Sequence, residues 1–194
     1  MDDEQIKIIF LGESGVGKSC LINRFLFNRM EGEKATTSTK YLQKNIIVNG
    51  RKYICNLWDT PGVEILRRLT TFFLIHSDIV VLVYDTTDKN SFLELQFWID
   101  TVVEKLGKEN YLILVGNKSD LIDKKEVDDK IAEKFAKDNN LKFKLCSSKD
   151  DPKSFKLFLR SLVKEYLQKT FKNFGEGKKI GKYDGKEHRS CVFL

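Results

Sequence analysis

Apolar residues change their spacing several times along the chain, and each change marks an element. Residues 6–11 form a short apolar run interrupted only by Lys7 and followed by glycine, and residues 19–27 then carry good helix formers at helical spacing. That order predicts strand, loop, helix. Segments 44–48 and 52–58 flank Asn49 and Gly50, a dipeptide that tolerates positive φ, and so predict an antiparallel hairpin. Residues 79–84 and 111–115 are almost wholly apolar, as expected of parallel strands covered on both faces.

Between those two runs Phe92, Leu95, Ile99, Val103 and Leu106 recur at helical spacing, which predicts a crossover helix capped by Asn90 or Ser91. A weaker helix is expected over 127–137. After it Leu141, Phe143 and Leu145 alternate with Lys142 and Lys144, the pattern of a half-exposed strand. Pro152 suits the first turn of a last helix whose stripe is Phe155, Phe158, Leu159, Leu162, Val163 and Tyr166. These stripes are core. The alternation of strands and helices implies an α/β fold, an open and mostly parallel sheet with helices on both faces, in which ligands collect at the strands' carboxyl ends. Over 173–190 glycine and lysine dominate and periodicity is lost, so this segment is expected to be a flexible tail.

At 194 residues and 22.5 kDa the chain suits one domain, and 41% hydrophobic with 32% charged residues is a soluble globular balance. A formal charge of +6 fits a nucleic acid, an anionic membrane or no special partner, so its location matters more than its sum. Residues 1–5 are acidic and unlike a signal peptide, and no apolar run approaches the roughly 20 residues of a membrane-spanning helix. Cys20, Cys55, Cys146 and Cys191 lack metal-ligand spacing and are too sparse for a disulfide framework, which favours a reducing cytosol. No interleaving of aromatic and basic residues points to nucleic acid, and His76 and His188 form no catalytic cluster.

The candidate chemistry lies at predicted strand ends. Gly12, Glu13, Ser14, Gly15, Val16, Gly17, Lys18 and Ser19 fit G-x-x-x-x-G-K-S between a strand and a helix. There the glycines let backbone N–H groups wrap phosphates, and the helix adds its positive dipole end. Lys18 would reach the β and γ phosphates and Ser19 would offer its hydroxyl to Mg²⁺. Asn117, Lys118, Ser119 and Asp120 follow another strand, and an aspartate can accept from both the N1–H and the exocyclic amine of guanine, a donor pair adenine lacks. Asp59, Thr60, Pro61 and Gly62 end a third strand with a carboxylate for Mg²⁺ and a glycine N–H for the γ phosphate.

With GESGVGKS, WDTPG and NKSD in this order over roughly residues 5–171, the chain resembles a Ras-superfamily small GTPase. Ser14, the stretch LVYDTTDKNSF and Trp98 are most similar to the Rab branch. The resemblance implies a P-loop small GTPase fold: a mostly parallel six-stranded sheet with one antiparallel edge strand, in a GTP-binding domain over 5–171 followed by a tail over 172–194. It also implies that Cys20 joins the nucleotide contacts, that Ser147, Ser148 and Lys149 support the guanine, and that Mg²⁺ is held by Ser19, Asp59 and a loop threonine. Counting back from Asp59 favours Thr36, with Thr37 and Thr39 close competitors. A switch between GTP and GDP, an exchange factor, effectors and an activating protein follow from the same resemblance.

Several positions depart from that pattern. Val63 stands where family members place the glutamine that orients water, so slow intrinsic hydrolysis is expected and no catalytic residue is assigned. Pro61 removes an N–H and restricts Thr60 to extended conformations. The first switch is one residue shorter than usual, which puts Met30 at the position of a base-stacking aromatic, with Phe27 as a substitute. The chain ends in Cys191, Val192, Phe193 and Leu194, a prenylation signal whose leucine favours geranylgeranyl, behind Lys178, Lys179, Lys182, Lys186 and Arg189. These features suggest the cytoplasmic face of an intracellular or plasma membrane, with a cytosolic pool, and a part in vesicle traffic. A nucleotide-loaded interaction module with negligible GTPase activity is the alternative; a P-loop phosphotransferase is opposed by Asn117, Lys118 and Asp120.

Overall fold

A computed structural model describes residues 4–28, 36–62, 67–107 and 111–175. The order is β1 (Glu4–Leu11), α1 (Lys18–Phe27), β2 (Lys40–Val48), β3 (Arg51–Asp59), α2 (Arg67–Leu74), β4 (Ile79–Asp85), α3 (Lys89–Leu93), α4 (Leu95–Leu106), β5 (Tyr111–Asn117), α5 (Asp129–Asp138), β6 (Lys142–Leu145) and α6 (Pro152–Gly175). The strands form one six-stranded sheet in the order β2-β3-β1-β4-β5-β6, with β2 antiparallel to β3 and every other neighbouring pair parallel. Val48 pairs with Arg51 across a two-residue turn in which Asn49 and Gly50 both have positive φ, as the sequence predicts.

The uninterrupted apolar strands serve two cores. Along β4, Ile79, Val81 and Val83 face the core that includes Leu21, Phe25, Phe155 and Leu159 of α1 and α6. Val80, Leu82 and Tyr84 face the other core, with Leu74, Trp98, Val102 and Ala132 of α2, α4 and α5. A strand that must be apolar on both faces has no room for alternation, and all seven residues of β4 are buried.

Four details differ from the sequence expectations. The crossover helix divides into α3 and α4 at Glu94, and its cap is Asp88, whose carboxylate accepts from the N–H groups of Asn90 (2.9 Å) and Ser91 (3.4 Å). Neither Asn90 nor Ser91 does this: the Ser91 hydroxyl is engaged with the Asp85 N–H at 3.0 Å and the Asp88 carbonyl at 2.7 Å. Strand β2 begins at Lys40 rather than near residue 44, because pairing with β3 continues out to Lys40 opposite Asp59 although this stretch is largely exposed and polar. Helix α2 has no counterpart in the expected elements. Finally, α6 continues to Gly175, past the loss of periodicity at Asn173; the remainder of the expected tail lies outside the described residues. No helix of the described residues is long and apolar enough to cross a membrane.

Candidate functional site

Strands β1, β3, β4, β5 and β6 release their chains at one edge of the sheet, and every described candidate residue except Thr36 lies in or beside the loops that follow them. Thr36 arrives from the segment before β2. At the phosphate end, Gly17 caps α1 at φ 95° without a side-chain hydrogen bond, and a Cβ there would sit 2.2 Å from the Asn117 amide nitrogen, so glycine is required. Lys18 is buried and its ammonium donates to the carbonyls of Gly12 and Glu13, both at 2.8 Å. Burial lowers its pKa to about 8 against the opposing pull of Asp59 and Glu13. Cys20, on the first turn of α1, is half-buried.

Beside this lysine three oxygens from separate segments meet. The Ser19 hydroxyl donates to Asp59 Oδ2 at 2.6 Å and lies 2.8 Å from Thr36 Oγ1. Among the described contacts Thr36 is the threonine that reaches Ser19; Thr37 and Thr39 show none to it. Asp59 is buried, its second oxygen Oδ1 has no hydrogen-bond partner, and burial raises its carboxyl pKa against the pull of Ser19, Lys18 and Lys40. Thr60 and Gly62 follow it, both buried. The Thr60 hydroxyl donates to the Phe10 carbonyl at 2.6 Å, and a Cβ on Gly62 would lie 2.3 Å from the backbone of Glu13 and Ser14. The Glu13 carboxylate accepts from the Trp98 indole at 3.2 Å, tying this loop to α4.

At the other end, Asn117 is fully buried and bridges two loops. Its amide donates to the Val16 carbonyl at 2.9 Å, and its oxygen accepts from the Ser148 N–H at 3.1 Å. Lys118 has φ 62° and an ammonium 2.5 Å from Asp85, while its carbonyl accepts from Thr86 at 3.1 Å. The Ser147 hydroxyl accepts from the N–H groups of Lys149 (3.1 Å) and Asp150 (2.8 Å), a local turn that shapes the loop after β6. Asp120 is half-buried, and its carboxylate takes no hydrogen bond among the described residues. The site therefore joins the glycine-rich loop 12–19, a hard oxygen cluster and a carboxylate free to accept a pair of donors.

The Ras family model matches residues 7–169 of this chain. The chain is also 36% identical over 188 residues to Ras-related protein SEC4 of Saccharomyces cerevisiae, covering 95% of this chain and 84% of that protein. It belongs to the Ras family of small GTPases. Ras-family GTPases bind GTP and GDP, generally with Mg²⁺, and the residues of this GTPase fit that ion: an unpartnered buried carboxylate oxygen beside two hydroxyls is a donor set suited to a hard cation.

Three residues of this small GTPase support the site without having been singled out for it. Asp85 holds Lys118, and its signal was available: it is the one charged residue in an otherwise apolar buried strand apart from the polar tip of Tyr84. Thr86 follows directly. Arg24, by contrast, lies mid-helix with no local motif, yet reaches loop carbonyls 124 and 125 residues away. Val63, Met30 and Cys191 lie outside the described residues, and Phe27 is 57% exposed at the end of α1.

Proposed function

We propose that this small GTPase is a Rab-like switch in vesicle traffic that alternates between GTP- and GDP-bound forms, hydrolyses GTP slowly, and is held on the cytoplasmic face of a membrane by a lipid on Cys191. The observation that carries the nucleotide reading is the bridge through Asn117, which joins the phosphate loop at Val16 to the guanine-supporting loop at Ser148.

In this reading Lys18 exchanges the Gly12 and Glu13 carbonyls for phosphate oxygens, and Asp120 accepts the two guanine donors. Ser19, Thr36 and Asp59 would hold Mg²⁺, which would supply positive charge against the phosphates. Gly62 is the second-switch glycine, packed so closely on Glu13 and Ser14 that a γ phosphate entering there is sensed by both loops. Exchange factor, effectors and an activating protein would act on those loops.

Val63 has neither donor nor acceptor with which to align water, so the chemical step lacks one transition-state hydrogen bond. Single-turnover hydrolysis should run about tenfold faster in Val63→Gln, a barrier lower by about 1.4 kcal/mol. An unchanged rate would remove this explanation of slow turnover. The anchor has its own test. In cells Cys191→Ser should move the protein to the soluble fraction, and persistent membrane association would contradict a lipid at that position.

A further inference from the structure

Helix α1 touches the nucleotide site at its first turn, through Lys18 and Ser19, but its other end is also committed to the site. Arg24 stands about one and a half turns further along. Its Nε donates to the Ser148 carbonyl at 2.6 Å, its Nη2 to the Lys149 carbonyl at 3.1 Å and its Nη1 to the Asn28 carbonyl at 3.2 Å. All three nitrogens of the planar fork are thus used on backbone oxygens, and two of them belong to the loop after β6. A lysine, a point charge on a flexible stem, cannot reproduce that geometry.

These bonds close a ring. The Val16 carbonyl accepts from Asn117, Asn117 accepts from the Ser148 N–H, the Ser148 carbonyl accepts from Arg24, and α1 returns the chain to Gly17 and Val16. The peptide units on both sides of Ser148 are therefore fixed, one by Asn117 and one by Arg24. Without Arg24 the loop keeps its internal turn at Ser147 but loses its attachment to α1. The third bond, to Asn28, holds the residue at which α1 ends in the left-handed conformation, φ 57°. One side chain thus fastens both the 148–149 loop and the exit from α1.

We infer that Arg24 is a positioning residue for the guanine: it clamps the 148–149 loop to α1 and so controls how fast the base end of the site releases nucleotide. This rests on the guanine-nucleotide reading given above. The clamp acts at the base end, whereas Ser19, Thr36 and Asp59 act at the metal end, so the two contributions to retention are separable.

The test is dissociation of a fluorescent N-methylanthraniloyl GDP from the full chain, chased with excess GDP, with Mg²⁺ present and after its removal by EDTA. Arg24→Ala should release nucleotide about tenfold faster, the scale of a lost charge-assisted hydrogen bond, and Arg24→Lys should fall between it and wild type. The factor by which EDTA accelerates release should be the same in all three proteins. Wild-type rates in both variants would overturn the clamp, and so would a changed EDTA factor, since that is the mark of general loosening. If Arg24→Ala does not fold, Arg24→Lys decides alone: release at the wild-type rate overturns the clamp. Failure of the wild-type protein to bind the probe would instead strike the guanine-nucleotide reading, a result distinct from tight binding that is insensitive to Arg24.

Discussion

The base end and the phosphate end of the site are built on opposite principles. Around Asn117 the loops are tied to one another by closed bonds: the side-chain amide is engaged at both its nitrogen and its oxygen, Lys118 is paired with Asp85, and Ser147 and Arg24 hold the 147–150 loop from within and from α1. Around Asp59 the protein's groups match each other poorly. A lysine is buried on two carbonyls, and a carboxylate oxygen is buried with no partner. Buried polar groups in a satisfied network rigidify a fold, while unsatisfied ones cost stability and persist where function uses them. The base end is consequently part of the scaffold, and the phosphate end, on the function proposed above, carries a burden for a ligand. Substitutions at the two ends should differ in the sign of their effect on stability.

The largest effect is expected from Asn117→Ala. It leaves the Val16 carbonyl and the Ser148 N–H without partners in a fully buried position, which should cost about 2–6 kcal/mol of folding stability at about 1–3 kcal/mol per group. Nucleotide release should accelerate as well, because both loops lose their tie. Chemical denaturation in the absence and presence of GDP checks this. A loss confined to the nucleotide-bound protein would place Asn117 with the phosphate end and dissolve the contrast.

Lys18→Met should show the reverse division. Removing the ammonium would forfeit the charge-assisted bonds proposed for Lys18 and phosphate, lowering GDP affinity by about 10- to 100-fold. The nucleotide-free protein should stay within about 1 kcal/mol of wild type, since the buried charge that burial already disfavours is gone along with its two carbonyl contacts. Titration calorimetry supplies the affinity and denaturant unfolding the stability; a large stability loss would mean that Lys18 is scaffold after all.

The same division explains what could be read from the sequence. Gly17, Lys18 and Ser19 sit where residue type is dictated locally: only glycine escapes the 2.2 Å approach of Asn117, and the lysine and serine occupy fixed offsets from it on the first turn of α1. The apolar strands were legible for a similar reason, because burial on both faces leaves no alternative pattern. The supports of the base end were not. Arg24 acts across 124 residues, and Asp88 rather than Asn90 or Ser91 caps α3 because Ser91 is engaged with Asp85 and Asp88, a contact that no local spacing announces. Local chemistry is written in motifs, whereas scaffolding is written in tertiary contacts.

The smallest predicted effect has the opposite sign and is the most discriminating. Asp59→Asn keeps the size of the side chain and its bond from Ser19, but replaces a desolvated carboxylate, one of whose oxygens has no partner, by a neutral amide. Burial raises the pKa of this carboxyl, so the fold disfavours its ionised form. Removing the desolvated charge should stabilise the nucleotide-free protein by about 1 kcal/mol, a fraction of the cost of burying a charge, because the amide nitrogen takes over the unpartnered place. The gain should be confined to the protein without Mg²⁺, because the amide would also weaken the Mg²⁺ binding proposed for the carboxylate. Thermal unfolding with and without Mg²⁺ and GDP separates the two. If Asp59→Asn lowers stability in both conditions, the carboxylate is a structural member and the phosphate end resembles the base end; if it raises stability only in the absence of ligand, the burden at Asp59 belongs to function.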